Sequence, residues 1–274
     1  KTLNLKNKIK LKKYLKQKKI THIINCAGMV GGIIKNKSNN LEFFENNFEI
    51  NYNLFFIASN LKVKNIINLG SSCMYPKIYK TKFKEKHLMT NILENTNFGY
   101  SLSKLSTSFY LKLLKDKLKL NYVTIIPCNL YGPNDNFDYN KSHLIPAIIR
   151  KVIEAKKFHK KYVFAWGDGS PKREFMYVDD LASLVLKMIK TKKKLPDFIN
   201  AGYGKDFTVK YFYKKIIKII DHKILIKWDK TKPNGTKRKL INSNLAMKLF
   251  KWKPKISLDD GLKKTILFYS NKKT

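Results

Sequence analysis

"KNIINLGSSCMYP", residues Lys64–Pro76, starts as a short apolar run and ends in small hydroxyl residues around a cysteine. A run this short, rich in isoleucine and followed by glycine and serine, reads as a buried strand over Lys64–Ser72 that opens into a turn. Three more runs share its character: Thr21–Ala27, Tyr122–Pro127 and Tyr162–Trp166. Long helical patterns separate the first three, "LEFFENNFEINYNLFFIASNL" over Leu41–Leu61 and "NFGYSLSKLSTSFYLKLLKDKLKL" over Asn97–Leu120. Strand–helix–strand alternation implies right-handed crossovers and a parallel sheet, hence an α/β fold. Both helices are apolar on more than one face, so each is expected to pack on the sheet and on a second surface such as a dimer partner. After about Asn134 the pattern becomes mixed, with helices expected over His143–Lys157, Val178–Lys190, Val209–Ile220 and Leu258–Tyr269.

In an open parallel sheet, ligands bind at the carboxyl ends of the strands. Three stretches fall there: "NCAGMVGGI" (Asn25–Ile33), "GSSCMYP" (Gly70–Pro76) and "PCNLYGPNDNF" (Pro127–Phe137). Cys73 therefore lies at the rim of an expected cleft, where it can be an apolar filler, a disulfide partner or a chemical group. The cysteines Cys26, Cys73 and Cys128 are odd in number, far apart and without C-x-x-C spacing. That argues against a disulfide framework or a zinc site, and no metal is expected. It suits a reducing, cytoplasmic setting, as does the lack of a signal-peptide pattern or a membrane-spanning run.

The net charge of +38 suggests a nucleic-acid partner, yet the excess is lysine spread along the whole chain of 274 residues. Phosphate-reading surfaces gather their charge in a patch, so no nucleic-acid partner is expected. Arginine is more telling. Only Arg150, Arg173 and Arg238 stand in a chain that otherwise uses lysine. A guanidinium offers a planar fork for phosphate or carboxylate that an ammonium does not.

Tyr100 and Lys104 stand four apart near a helix start and share a face. A nearby ammonium lowers a tyrosine pKa and lets the phenol move protons near neutrality. Tyr14, Tyr211 and Tyr269 also precede a lysine by four residues, so spacing alone is weak. Tyr100 differs because it opens the helix that follows the strand ending at Ser71.

Seven stretches then come in order: "MVGGI", "LGSSCMYPK", "YSLSK", "NLYGPNDNF", "SHLIPAIIR", "WGDGSPKREFMYVDD" and "KPNGTKRKL". Together they resemble the GDP-L-fucose synthases, bifunctional 3,5-epimerase/4-reductases of the extended short-chain dehydrogenase group, over essentially the whole chain. The resemblance implies a Rossmann-like doubly wound parallel sheet with a smaller C-terminal α/β domain. The dinucleotide domain would span 1–133 plus about 174–202, and the substrate domain 134–173 and 203–274. It implies NADP(H) as cofactor, a GDP-sugar as substrate and a homodimer.

It also implies roles. Cys73 and His143 would be the acid–base pair that inverts C3 and C5 beside a 4-keto group, a task for which a thiol with an ordinary pKa of ~8.5 is suited. Ser71, Tyr100 and Lys104 would serve the hydride step at C4. Leu69, Gly70, Ser71, Ser72, Lys104, Pro127, Cys128, Asn129, Leu130 and His143 would line the cofactor. Lys151, Trp166, Arg173 and Asn234 would meet the substrate. Taken alone, Trp166 also reads as core, and Arg173 as a partner of Glu174 or Asp179.

Two positions depart from the resemblance: Met29 replaces a more usual lysine, and Asn234 a more usual aspartate. The chain begins without Met, and the G-x-x-G-x-x-G turn of such folds is not among its residues. The expectation is a sequence that starts after the second or third strand of the dinucleotide fold and lacks about one third of it.

Overall fold

The structure, a computed structural model, describes residues 3–77, 81–139, 141–232 and 234–273. Pro233 of "KPNGTKRKL" and the side chain of Ile33 in "MVGGI" lie outside the described residues. In chain order, α1 (Lys8–Gln17) leads to β1 (His22–Asn25), α2 (Ile33–Ser38), α3 (Asn40–Asn60) and β2 (Asn65–Leu69). Next come α4 (Phe98–Leu118), β3 (Asn121–Pro127), β4 (Asn129–Tyr131), α5 (Leu144–Lys157), β5 (Tyr162–Trp166), β6 (Lys172–Arg173) and β7 (Phe175–Tyr177). They are followed by α6 (Val178–Lys190), β8 (Phe198–Ala201), β9 (Phe207–Thr208), α7 (Val209–Ile220), β10 (Leu225–Asp229), β11 (Arg238–Lys239), α8 (Asn244–Phe250) and α9 (Leu258–Lys273).

The main sheet is parallel, with strand order β1-β2-β3-β8. Its register sets Asn25 opposite Asn68 and Asn68 opposite Thr124. These buried polar side chains satisfy one another, as buried amides must. Asn25 Nδ2 donates to Asn68 Oδ1 at 2.9 Å, and Asn68 Nδ2 donates to Thr124 Oγ1 at 3.2 Å. The layer fixes the carboxyl ends of three neighbouring strands relative to one another.

Two sequence readings are corrected here. Tyr162–Trp166 is a parallel strand, but its partner is β10 in a separate two-stranded sheet. It is buried on one face only: Val163 and Ala165 point inward while Phe164 and Trp166 are exposed. The first strand is likewise not fully buried, because β1 ends the strand order and Ile24 is 46% exposed.

Helices pack where their apolar stripes meet the sheet. Leu54, Phe55 and Ala58 of α3 join Leu11 and Leu15 of α1 over Ile66 and Tyr122. Leu184 and Met188 of α6 and Trp252 cluster with Ile67, Val123, Ile125 and Ile199 of the sheet. A further core gathers Ile145, Ile148 and Val152 of α5, Phe212 and Ile216 of α7, and Leu262 of α9 around Val163. Pro146 fits α5 because it lies in the first turn, where its missing N–H has no intrahelical partner to lose. Among the described residues, no helix is long and apolar enough to cross a membrane.

Candidate active site

β2 ends at Leu69, and the chain then turns sharply. Gly70 is buried so tightly that a Cβ there would lie 2.8 Å from Met74 Sδ and 2.9 Å from Thr124 Cγ2. A short 3-10 turn, Ser72–Met74, follows, and Ser71 caps it by accepting from Cys73 N at 3.2 Å. This turn carries Cys73 to the rim half-buried, while Ser72 and Met74 point inward.

α4 supplies the other wall. Its first turn presents Tyr100, whose phenol lies near the Ser71 hydroxyl and within electrostatic reach of Cys73. Burial pushes the Tyr100 phenol above its ordinary range, Cys73 adds to this, and the nearby Ser71 hydroxyl opposes it. One turn further, Lys104 is buried and donates its Nζ to Leu69 O at 2.9 Å. Desolvation brings its ammonium down to about 8, with Cys26 opposing. The expected lowering of the tyrosine by Lys104 is therefore not what governs Tyr100. Desolvation of the phenol is the largest cause, and the phenol stays protonated near neutrality.

Cys73 also meets two residues from distant segments. Asn97 Nδ2 donates to its Sγ at 3.1 Å. Arg173 on β6 lies within electrostatic reach of both Cys73 and Glu94. The Arg173 guanidinium donates to the carbonyls of Lys172 at 2.8 Å and Thr236 at 2.6 Å, and among the described residues no ion pair joins it to Glu174 or Asp179. Burial pulls it below its ordinary value, and Cys73 and Glu94 oppose this.

From Arg173 a row of the substrate candidates runs outward. Thr236 leads to Asn234, whose Oδ1 accepts from Asp168 N at 2.9 Å and closes the turn after β5. Trp166, 42% exposed, stands at the start of that turn and is not core. Lys151 on α5 donates to Phe164 O on the same strand at 2.8 Å. The structure thus gathers Lys151, Trp166, Asn234 and Arg173 around β5 and β6.

His143 is exposed at the N-cap position of α5 and faces Asp135. Burial pushes the Asp135 carboxyl up, while the Asn136 N–H, donating at 2.7 Å, and His143 oppose it. No hydrogen bond joins His143 to Cys73 among the described residues. The loop leading to His143 is pinned on α5, where Tyr139 stacks against the Arg150 guanidinium at 3.6 Å and donates to Glu154 Oε2 at 3.0 Å.

Of the other cofactor candidates, Leu69, Asn129 and Leu130 reach the surface at the strand ends, whereas Gly70, Ser72, Pro127 and Cys128 are buried. Burial pushes the Cys128 thiol well up, with Glu174 adding to it. Among the described residues, no cluster of three or more His, Cys, Asp or Glu could hold a metal ion. Residues that sequence reasoning missed are Asn97, Glu94, Thr236, Asp135 and Cys26. Each meets the site across long sequence separations or through loop geometry, and only Asn97, three residues before Tyr100, carried a local cue.

A family model described as "NAD dependent epimerase/dehydratase family" matches residues 1–202. The chain is 41% identical to the GDP-L-colitose synthase of Yersinia pseudotuberculosis over 274 residues, covering 100% of this chain and 89% of that protein. It is 35% identical to the GDP-L-fucose synthase of Azorhizobium caulinodans over 270 residues, covering 97% and 85%. Among solved structures, the GDP-mannoheptose C4 reductase MlghC from Campylobacter jejuni with NADP bound superposes with a TM-score of 0.84 at 26% identity, covering 98% of this chain and 89% of that one.

Proposed function

The chain belongs to the NAD dependent epimerase/dehydratase family, and from that premise we propose that it is a GDP-sugar epimerase and reductase using NADP(H), with GDP-4-keto-6-deoxy-D-mannose as substrate. The reaction is 3,5-epimerisation followed by reduction at C4, giving GDP-L-fucose. The observation that carries this reading is the convergence of Ser71, Tyr100 and Arg173 on Cys73 at the carboxyl edge of a parallel sheet.

The residues at the strand ends fit a dinucleotide. Lys104 Nζ has three donors, gives one to Leu69 O, and lies 3.4 Å from where a Cβ on Gly28 would stand, so the loop after β1 runs within its reach. Lys104, Leu69, Ser71, Asn129 and Leu130 would hold the cofactor at this rim, with the backbone of Gly70, Ser72, Pro127 and Cys128 behind them. When bound, the nicotinamide supplies hydride for C4.

The chain's own groups do the proton chemistry. The 4-keto group acidifies C3 and C5, and Cys73 with His143 moves the protons there. Tyr100, kept protonated by burial, gives its proton to O4, and Ser71 hydrogen-bonds the same oxygen as charge develops on it. Lys151, Arg173 and Asn234 offer polar contacts to the nucleotide-sugar, and Trp166 offers an apolar wall.

The division into a dinucleotide domain and a substrate domain at about residue 133 belongs to this reading. So does a homodimer formed through α3 and α4. The test is incubation of the purified chain with GDP-4-keto-6-deoxy-D-mannose and NADPH in deuterated water, with the product identified by NMR. GDP-L-fucose carrying deuterium at C3 and C5 is the expected result. Reduction without exchange at both carbons would assign the chain to another GDP-sugar.

A further inference from the structure

The sulfur of Cys73 is held from the side by an amide. Asn97 Nδ2 donates to Sγ at 3.1 Å. The opposite end of that amide is fixed, because Ser101, one turn along α4 and fully buried, donates its hydroxyl to Asn97 Oδ1 at 3.2 Å. That contact turns the nitrogen end toward the sulfur.

The backbone of Asn97 is fixed as well. It closes the 3-10 turn Asn95–Asn97, whose Thr96 N–H is capped by Glu94 Oε1 at 3.4 Å. Glu94 is buried, and its Oε2 accepts from Thr236 Oγ1 at 3.0 Å. The same Thr236 receives Arg173 through its carbonyl at 2.6 Å. Glu94, Thr236 and Arg173 therefore lock Asn97 and the cation beside Cys73 into one frame. The cysteine N–H is already given to Ser71 Oγ, so the turn is anchored from below and the sulfur from the side.

We propose that Asn97 is a positioning residue for Cys73, holding the sulfur at the cleft through the N–H it donates, so that replacing this donor changes how the sulfur reacts. A donor to the charged form of a group stabilises that form. The thiolate, not the thiol, is the reactive species. This inference rests on the reading of Cys73 as a proton-transfer group.

The test reads the thiol itself. Alkylation of Cys73 by iodoacetamide, located by peptide mass, is followed from pH 6 to 10 in the wild-type chain, Asn97→Asp and Ser101→Ala. Asn97→Asp keeps the acceptor for Ser101 but replaces the donor at the sulfur with a carboxylate. It should slow alkylation of Cys73 at pH 7 by about tenfold or more, the factor for a one-unit displacement of a titration. The profile should move to higher pH. Ser101→Ala frees the amide to rotate and should give a smaller move in the same direction. A wild-type profile in folded Asn97→Asp overturns the proposal; if that variant does not fold, a wild-type profile in Ser101→Ala overturns it instead. The readout needs no substrate. A chain that shows the shift but does not turn over the GDP-sugar would sink the functional reading and leave the role of Asn97 standing. A chain that turns it over without the shift would do the reverse.

Discussion

Gly99 donates its backbone N–H to Asn40 Oδ1 at 2.9 Å, and a Cβ on Gly99 would collide with the Asn40 carbonyl. The start of α4 is thereby locked onto the start of α3, and Tyr100 is the next residue. Gly99→Ala should push the two helix starts apart. The expected cost is ~1–3 kcal/mol, the range for overpacking a tight contact. It should also lower turnover, because the phenol moves with the helix. Urea unfolding measures the first effect and NADPH oxidation the second; an alanine variant equal to wild type in both would refute the lock.

Glu174 is the clearest pH-dependent element of the fold. It is buried and accepts from Gly204 N at 2.6 Å and Ile241 N at 3.0 Å, which ties the junction of β6 and β7 to two later loops. Desolvation raises its carboxyl to about 7, with the two backbone donors opposing. The folded state therefore holds a proton that the unfolded chain has already released. The stabilisation is complete below the unfolded value of ~4.3 and is lost as pH rises through about 7. Between pH 5 and 8 the unfolding midpoint of wild type should fall more than that of Glu174→Gln, whose side chain does not titrate. Parallel profiles for the two would contradict the assignment.

Much of this architecture is legible in the chain, and the limits have physical causes. The runs at Lys64–Ser72 and Tyr122–Pro127 are apolar on both faces because each strand has neighbours on two sides and helices above and below. Tyr162–Trp166 has the same composition but buries one face, and its partner Leu225–Asp229 lies too far along the chain for local pattern to reveal. Phe198–Ala201 closes the main sheet unseen, since four residues ending in Asn-Ala carry almost no periodic signal. Cys73, Tyr100 and Lys104 are marked by their place after a strand and on a helix face. The contact from Asn97 to Cys73 depends on how a 3-10 turn meets another turn, which no spacing rule encodes. The direction of the Tyr100 shift depends on burial, which the spacing to Lys104 does not reveal.

The aromatic stripe on α3 carries the oligomer prediction. Phe44, Phe48, Tyr52 and Phe56 follow one another at four-residue spacing, with successive rings 5.5, 5.9 and 5.8 Å apart. Tyr52 also meets Tyr110 of α4 at 5.1 Å. The stripe lies away from the buried face of α3, and Phe56 is 41% exposed. Pairing this surface with a second copy would cover it in a four-helix interface. Phe56→Glu should weaken the dimer by at least about tenfold, or ~1.4 kcal/mol. Sedimentation velocity reads this, and a wild-type mass equal to one chain at every concentration would refute the dimer.

Arg173 gives a single nitrogen, Nη1, to two carbonyls while facing Cys73. An ammonium in its place keeps the charge but has no planar fork with which to hold Thr236 and a diphosphate together. Arg173→Lys should raise the KM for the GDP-sugar by about ten- to a hundredfold, matching the ~1–3 kcal/mol of a charge-assisted hydrogen bond. It should do so with little loss of secondary structure. An unchanged KM would assign Arg173 to structure alone.

The two halves of the proposed reaction should separate at Cys73 and Tyr100. The two groups are close enough to influence each other, yet they are asked for different protons. Cys73→Ser keeps the bulk and the N–H anchored on Ser71, but a hydroxyl is a far weaker acid than a thiol and a poor base near neutrality. Deuterium from solvent should stop entering C3 and C5, while a 4-keto sugar that needs no inversion is still reduced. Tyr100→Phe removes the proton donor to O4 and leaves the thiol in place. Exchange should continue, and NADPH oxidation should fall by about a hundredfold or more, the usual contribution of a positioned acid. Proton exchange by NMR and absorbance of NADPH, measured side by side on both variants, decide the matter. If Cys73→Ser exchanges at the wild-type rate, the thiol at the rim is a packing group and the proton at C3 and C5 leaves by another route.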